Sequence, residues 1–238
     1  MNHTAIIIPA RMASSRLKAK VLLPIGNKSL LEQVWQRAVC VADCDVFVAT
    51  DHETIADNVQ AFGGNVIMTS PSCPSGSDRV AEAIQTLPDQ YQNIINIQGD
   101  LPFIDPKEVP LVLMPLKQGY DVGTLITCMP SEKQENPSFV KAVVSPDSAP
   151  GIMRCHWFCR AALPYGHHHM GIYSYTRAAL NTFAKTPPHP LEQQERLEQL
   201  RFLTLGYRIG ASLVNSLAIE VNTSEDLSVA QAYADAIV

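Results

Sequence analysis

The sequence predicts an α/β fold, parallel in its first half and mixed in its second, with helices on both faces of the sheet. Three observations carry this expectation. Residues 4–10 read TAIIIPA, and the consecutive Ile6, Ile7 and Ile8 suit a strand covered on both sides. Strand-length apolar runs then alternate with segments of helical periodicity as far as Ile97, an order that requires crossovers and hence parallel pairing. Beyond Asp121 the runs are short and joined by loops, the pattern of a mixed, substrate-facing half.

Along the chain, Ser29 and Glu32 form a predicted capping box, followed by Leu30, Leu31, Val34, Trp35 and Ala38 at helical spacing. Residues 45–50 (DVFVAT) are a second strand. Asp51 is predicted to cap a helix carrying Ile55, Val59 and Phe62, stopped by Gly63-Gly64. Residues 65–68 (NVIM) are a third strand. Ser77 starts a helix with Val80, Ala83, Ile84 and Leu87, and residues 93–97 (NIINI) are a fourth strand. Asp105, Pro106 and Glu108 resemble a helix start, which Pro110 and Pro115 disfavour. Further strands are expected at 122–128, 140–144, 172–175, 209–214 and 217–221, one periodic helix at 191–205, and a final helix to Ile237 capped by Thr223 with Asp226. With no internal repeat or linker, 1–238 reads as one domain, with halves 1–120 and 121–238.

The chain is long enough, at 238 residues, to bury a full core. A net charge of -5, with no basic stripe outside the first loop, argues against nucleic acid as a partner. The start, MNHTAIIIPAR, has too short an apolar run for a signal peptide, and no run has the length of a membrane span. The six cysteines show no disulfide framework, so the expected setting is cytoplasmic and reducing. Cys155 and Cys159 read as buried apolar thiols rather than a metal pair. His167, His168 and His169 are adjacent and do not converge easily on a metal.

The chemistry concentrates at two strand ends. After the first strand come Arg11, Arg16, Lys18 and Lys20, with Ser14 and Ser15 between them. A loop at the C-terminal end of a central parallel strand is where open α/β sheets bind ligands, and these side chains suit a polyphosphate. A solvated basic loop is the plainer alternative. The fourth strand ends at Gln98-Gly99-Asp100: Gly99 permits a tight turn, and Asp100 is a natural Mg²⁺ ligand beside phosphate. Asp100 as a simple turn residue is the competing reading. Residues 75–79 (SGSDR) either offer backbone N–H groups to a ligand's polar edge or form a plain N-cap at Ser77.

A set of segments then carries a resemblance. IIPARMASSRL from Ile7, VATDHE from Val48, GGNVIMTSPSCPSGSDR from Gly63, NIQGDLPFI from Asn96 and NPSFVKAVV from Asn136 are followed by FCRAALPYG, HMGIYSY, PLEQQERLEQLR and VNTSEDL. In this order, over nearly the whole chain, they resemble the 3-deoxy-D-manno-octulosonate cytidylyltransferase (CMP-Kdo synthetase) family of lipopolysaccharide synthesis. The resemblance implies a Rossmann-like nucleotidyltransferase (GT-A-like) fold with a small substrate and dimerisation lobe. It implies a reaction in which the anomeric hydroxyl of a 2-keto-3-deoxy sugar acid, Kdo, attacks the α-phosphate of CTP and releases pyrophosphate. It assigns catalysis to Arg11, Lys20 and Asp100. Nucleotide contacts fall to Ala10, Arg11, Ser14, Ser15, Arg16, Lys20, Ser75, Gly76, Arg79 and Gln98. Sugar contacts fall to Gln98, Arg160, His169, Tyr173, Glu192 and Gln199, and the Mg²⁺ cofactor to Asp100 and Asn222. Arg160 suits the sugar carboxylate by its planar fork. Glu192 suits sugar hydroxyls; without the resemblance, Glu192, Glu195, Glu198 and Arg201 read as a solvated helix face. His169 otherwise reads as a structural histidine. A homodimer is also implied, with only Trp157-Phe158 and the strands after Tyr207 as hints in the residues.

Four departures stand against the family pattern. Lys18-Ala19-Lys20-Val21 replaces Pro-Gly-Lys-Pro, Leu101 replaces an acidic or amide residue, and the segment between Pro164 and His169 is short. Asn222 stands where the family has a second metal-binding aspartate, so it supplies an oxygen but no charge. Glu220 lies on the same face if the strand at 217–221 continues. Two alternatives follow: a cytidylyltransferase for another sugar acid, a Kdo analogue or a sialic-acid-like one, or a weakly active CTP-binding paralogue. Gly-Asp-Leu-Pro lacks the Asp-x-Asp pair of a glycosyltransferase.

Overall fold

The computed structural model describes residues 3–13, 17–148, 150–216 and 219–236. The elements run β1 (His3–Ala10), β2 (Pro24–Ile25), β3 (Lys28–Ser29), α1 (Leu30–Ala38), β4 (Cys44–Thr50), α2 (Glu53–Ala61), β5 (Asn65–Met68), α3 (Gly76–Ala83) and β6 (Tyr91–Ile97). They continue with α4 (Met114–Lys117), β7 (Val122–Thr127), β8 (Lys141–Pro146), β9 (Ile152–Cys159), β10 (His167–Thr176), α5 (Arg177–Lys185), α6 (Pro190–Glu195), α7 (Gln199–Thr204), β11 (Ile209–Leu213) and α8 (Ser224–Ala236). The chain forms two compact units, one of residues 1–91, 96–109 and 218–238, the other of 92–95 and 110–217.

In the first unit, β1 is buried from Thr4 to Ala10, as its isoleucine run predicts. It pairs in parallel with β4, Thr4 opposite Cys44 through Ala10 opposite Thr50, and β4 pairs in parallel with β5. The crossovers are helical: α1 buries Leu30, Leu31, Val34 and Ala38, and α2 buries Ile55, Ala56 and Val59. Ser29 caps α1 by accepting the Glu32 N–H. Two predicted caps are corrected. His52, not Asp51, caps α2, accepting the Thr54 N–H on Nδ1, because Asp51 is drawn off to Arg79. Ser75, not Ser77, caps α3 by accepting the Asp78 N–H, while Ser77 is buried within the helix. At the chain's end α8 lays Ala230 and Ala234 against Ile25, Leu30 and Val221. Its cap is the expected one, with the Asp226 N–H donating to Thr223 and the Asp226 carboxylate accepting from the Thr223 N–H.

The second unit is a mixed sheet in the order β10-β7-β11-β9-β8. β7 runs antiparallel to β10 and parallel to β11, and β9 is antiparallel to both β11 and β8. Here the sequence reading differs more. β9 and α5 are added elements, and β10 extends five residues upstream of the expected start, to His167. The single helix expected at 191–205 is two, interrupted where Arg196 turns into the left-handed region at φ 56. Residues 219–221 are not a strand and Glu220 is exposed, so the premise placing it on one strand face with Asn222 fails; Leu217 and Ala218 lie outside the described residues. Glu192 and Arg201 are buried, which overturns the solvated-face reading for those two. Cys155 and Cys159 are buried as expected, and burial pushes the Cys155 thiol up to about 12.

Candidate active site

In the first unit the candidate residues gather where β1 and β6 end. Ala10 is buried and Arg11 exposed, with no side-chain partner for Arg11 among the described residues. Ser14, Ser15 and Arg16 lie outside the described residues. Lys20 opens a short turn preceded by Ala19 at φ 51, ψ 35, a left-handed backbone that costs a residue with a Cβ roughly 1–2 kcal/mol. Lys20 Nζ donates to Asp100 Oδ2 at 2.7 Å, with only 15% and 18% of the two side chains exposed. The other carboxylate oxygen, Oδ1, is buried with no partner among the described residues.

Close backbone approach sets this geometry. A Cβ on Gly99 would lie 3.1 Å from the Pro9 carbonyl, so glycine lets the turn after β6 sit against β1. A Cβ on Gly76 would lie 3.3 Å from both amide atoms of Gln98, so the start of α3 packs directly on that amide. Gln98 Nε2 donates to Asn96 Oδ1 at 3.3 Å. Ser75 also donates to the Asp78 carboxylate. Arg79 is buried, its guanidinium donating to Thr69 Oγ1 and, at 2.8 Å, to Asp51 Oδ2. The Val221 N–H donates to the Asp100 carbonyl at 3.0 Å, which sets Asn222 beside the aspartate in the chain path. The Asn222 N–H donates to Asp226.

In the second unit the candidates belong to tight side-chain networks. His169 Nε2 bonds the Thr124 hydroxyl at 3.0 Å, and its ring lies 5.0 Å from Phe158 and 5.2 Å from Tyr173. Burial, with His168 and Arg160 nearby, pushes its pKa down to about 3, so the ring is neutral. Tyr173 is buried and stacks on Tyr175. Glu192 takes two bonds from the Arg201 guanidinium, at 2.6 and 2.7 Å, and a third from the His189 N–H. Arg201 also lies 3.8 Å over the Phe183 ring. Gln199 is buried and its Nε2 has no partner among the described residues. The backbone N–H of Arg160 donates to the Glu195 carboxylate, its Nε to the Glu195 carbonyl and its Nη1 to the Pro137 carbonyl.

The structure thus joins Lys20 to Asp100 and Gln98 to Gly76 in one unit, and His169 to Tyr173 in the other, while Arg79 is turned to Asp51. Among the described residues no three His, Cys, Asp or Glu side chains form a metal cage. Two polar groups are not evident from the sequence as partners of the site. Asp51 reads as a cap, and Lys141 lies inside an apolar strand run, FVKAVV, where its one charge is the available signal.

This fold and these strand-end groups define a nucleotidyltransferase. Residues 5–209 match the profile of the cytidylyltransferase family. A 3-deoxy-manno-octulosonate cytidylyltransferase of Rhodopseudomonas palustris (strain BisB5) is 44% identical over 236 residues, 96% of each chain. One of the same name from Nitrobacter hamburgensis is 46% identical over 96% of this chain and 92% of its own. The solved structure of a CMP:2-keto-3-deoxy-manno-octonic acid synthetase complexed with CTP superposes with a TM-score of 0.90 at 34% identity, covering 99% of this chain and 100% of that one. The chain belongs to the 3-deoxy-manno-octulosonate cytidylyltransferase family.

Proposed function

We propose that this enzyme couples CTP to Kdo, giving CMP-Kdo and pyrophosphate for lipopolysaccharide synthesis. The observation that carries the reading is the Lys20–Asp100 pair with the buried, unpartnered Asp100 Oδ1, in a chain whose relatives at 44% identity and whose CTP-bound structural counterpart bear that activity in their names. In the reaction the anomeric hydroxyl oxygen of Kdo bonds to the α-phosphorus and loses its proton. The bond from that phosphorus to the bridging oxygen breaks, and pyrophosphate leaves with the electron pair. Both reactants are anions, so neutralisation and alignment dominate the barrier.

Arg11 and Lys20 bind the phosphates, with Ser14, Ser15 and Arg16 on the same loop. Ala10, Ser75, Gly76 and Arg79 shape the nucleoside end, where Arg79 acts by tying Thr69 and Asp51 to α3. Gln98 borders nucleotide and sugar. Arg160 holds the sugar carboxylate, while His169, Tyr173, Glu192 and Gln199 line the sugar. The unpartnered Gln199 Nε2 supports this, since a buried N–H donor without a partner is costly.

The donor set fits Mg²⁺, which keeps waters and takes one or two protein oxygens plus phosphate: Asp100 supplies a carboxylate oxygen with no other partner, and Asn222 an amide oxygen. When bound, the ion would offset phosphate charge. We assign the enzyme to the cytoplasm as a homodimer and a single functional domain. The six free cysteines agree with a reducing compartment, and no helix among the described residues is long and apolar enough to cross a membrane.

Asn222 favours a second reading, a CTP-binding paralogue of low activity. The test is pyrophosphate release from CTP and Mg²⁺ with Kdo, with N-acetylneuraminate, and without sugar. Release that requires Kdo supports the proposal. Release with the other acid alone moves the specificity. Silence with all three, while CTP still binds, establishes the second reading.

A further inference from the structure

We propose that Lys141 is a positioning residue that aims Arg160 at the sugar carboxylate. The inference deepens the reading just given and rests on its assignment of Arg160.

Lys141 is wholly buried at the start of β8, opposite Cys159 of β9 and His168 of β10. Among the described residues its ammonium has two partners, both backbone carbonyls: Asn136 at 2.9 Å and Arg160 at 3.2 Å. No carboxylate pairs with it among the described residues. A buried cation without an acidic partner is expensive, and a leucine or methionine would fill this strand position without that penalty. Burial, reinforced by the neighbouring Arg160 charge, lowers the Lys141 pKa from its usual value.

What the ammonium does is visible in what its two carbonyls belong to. One is the carbonyl of Arg160 itself. The other, Asn136, immediately precedes Pro137, whose own carbonyl accepts the Arg160 Nη1 N–H at 3.0 Å. Lys141 therefore staples the root of the Arg160 side chain to the turn that holds its tip. Glu195 grips the same residue from α6, through the Arg160 backbone N–H and Nε. With Nε and one Nη1 proton engaged, the Nη2 group has no partner among the described residues. A guanidinium has five N–H donors in a rigid plane, so fixing Nε and Nη1 fixes the direction of Nη2. The Nη2 donors are left for a carboxylate, and Lys141 sets where they point.

The experiment is a double-mutant cycle on the intact enzyme, with Lys141→Met, Arg160→Met and the pair. Kdo and CTP are varied separately in steady-state turnover, CTP affinity is measured by calorimetry, and folding by thermal melting. Lys141→Met is expected to raise KM for Kdo roughly tenfold while CTP affinity stays near wild type. In the Arg160→Met background it should add less than about twofold, because its effect runs through that residue. Lys141→Gln keeps an N–H donor without the charge, so it should recover part of the loss; it also replaces the methionine variant if that one does not fold. A KM for Kdo within about twofold of wild type, or effects that multiply in the double variant, would overturn the inference. Failure of both lysine variants to fold would make Lys141 a folding residue and overturn it too. A wild-type enzyme inactive on Kdo would remove the underlying reading as well, whereas active wild type with indifferent variants removes this inference alone.

Discussion

The two units keep their candidate ligand groups in different states. In the first, among the described residues, Arg11 is exposed without a partner, Lys20 has a single carboxylate, and one Asp100 oxygen is bare. In the second, Glu192 and Arg160 are each held by several protein groups, and His169 by the Thr124 hydroxyl within a cluster of aromatic rings. On the proposed assignment of the sites, the difference matches the two substrates. A triphosphate brings dense charge, so loosely held cations suffice to bind it and are worth most as charge moves. A sugar acid is mostly hydroxyls with one carboxylate, and telling it from its analogues needs fixed donors and acceptors.

Five substitutions test that contrast, beginning with the largest expected effect. Arg201→Ala strands Glu192 as a buried charge and should cost about 3–5 kcal/mol in urea unfolding. A loss under about 1 kcal/mol would mean that the second unit is not rigidly networked. Asp100→Asn should leave stability nearly unchanged while lowering kcat by roughly 10²–10³-fold, since the role is a charge placed at the reacting phosphate. Wild-type turnover in that variant would take Asp100 out of the mechanism. Arg11→Ala should behave alike.

The third effect is on pH dependence. Folded His169 and His168 have pKa values pushed down to about 3 and about 4, mainly by burial, from an ordinary 6.5. Below pH 6.5 the unfolded chain therefore takes up protons that the folded chain refuses. Stability should fall as pH drops from there toward 3, and these groups contribute no slope above pH 7. Urea midpoints across this range should show a shallower acid limb for His169→Gln, by about one proton; an unchanged limb would mean the ring is not held neutral. The smallest effect belongs to the first unit. Ala19→Gly should relieve the left-handed strain at φ 51, offset by glycine's freedom when unfolded, for a net gain of about 0.5–1 kcal/mol in thermal unfolding. A loss of stability would show that Ala19 is not strained.

Legibility in the sequence divides along the same line. The first unit's strands and helices follow local rules, and the expected bounds of β5 match those observed. The charged strand-end residues were visible as chemistry for the reason that little else holds them. What escaped depends on partners far along the chain. Asp51 reads as a cap until Arg79, 28 residues on, takes its carboxylate. β9 alternates buried and exposed residues too irregularly to announce a strand. Lys141 shows only that a charge sits in an apolar run, and the carbonyls that make sense of it come from loops at Asn136 and Arg160.

The left-handed turn at Arg196 has a consequence for how this chain tolerates changes of length. In one unbroken helix, successive residues advance by about 100°, so two residues nine apart would face opposite sides. Glu192 and Arg201 are nine apart and face each other only because the helix is interrupted between them. Adding or removing a single residue between α6 and α7 would rotate one partner away from the other and leave both charges buried alone. A Cβ on Gly151 would meet nothing within 4 Å among the described residues, so an insertion beside it separates no comparable buried pair. Relatives of this chain should vary freely in length at the second place and hardly at all at the first.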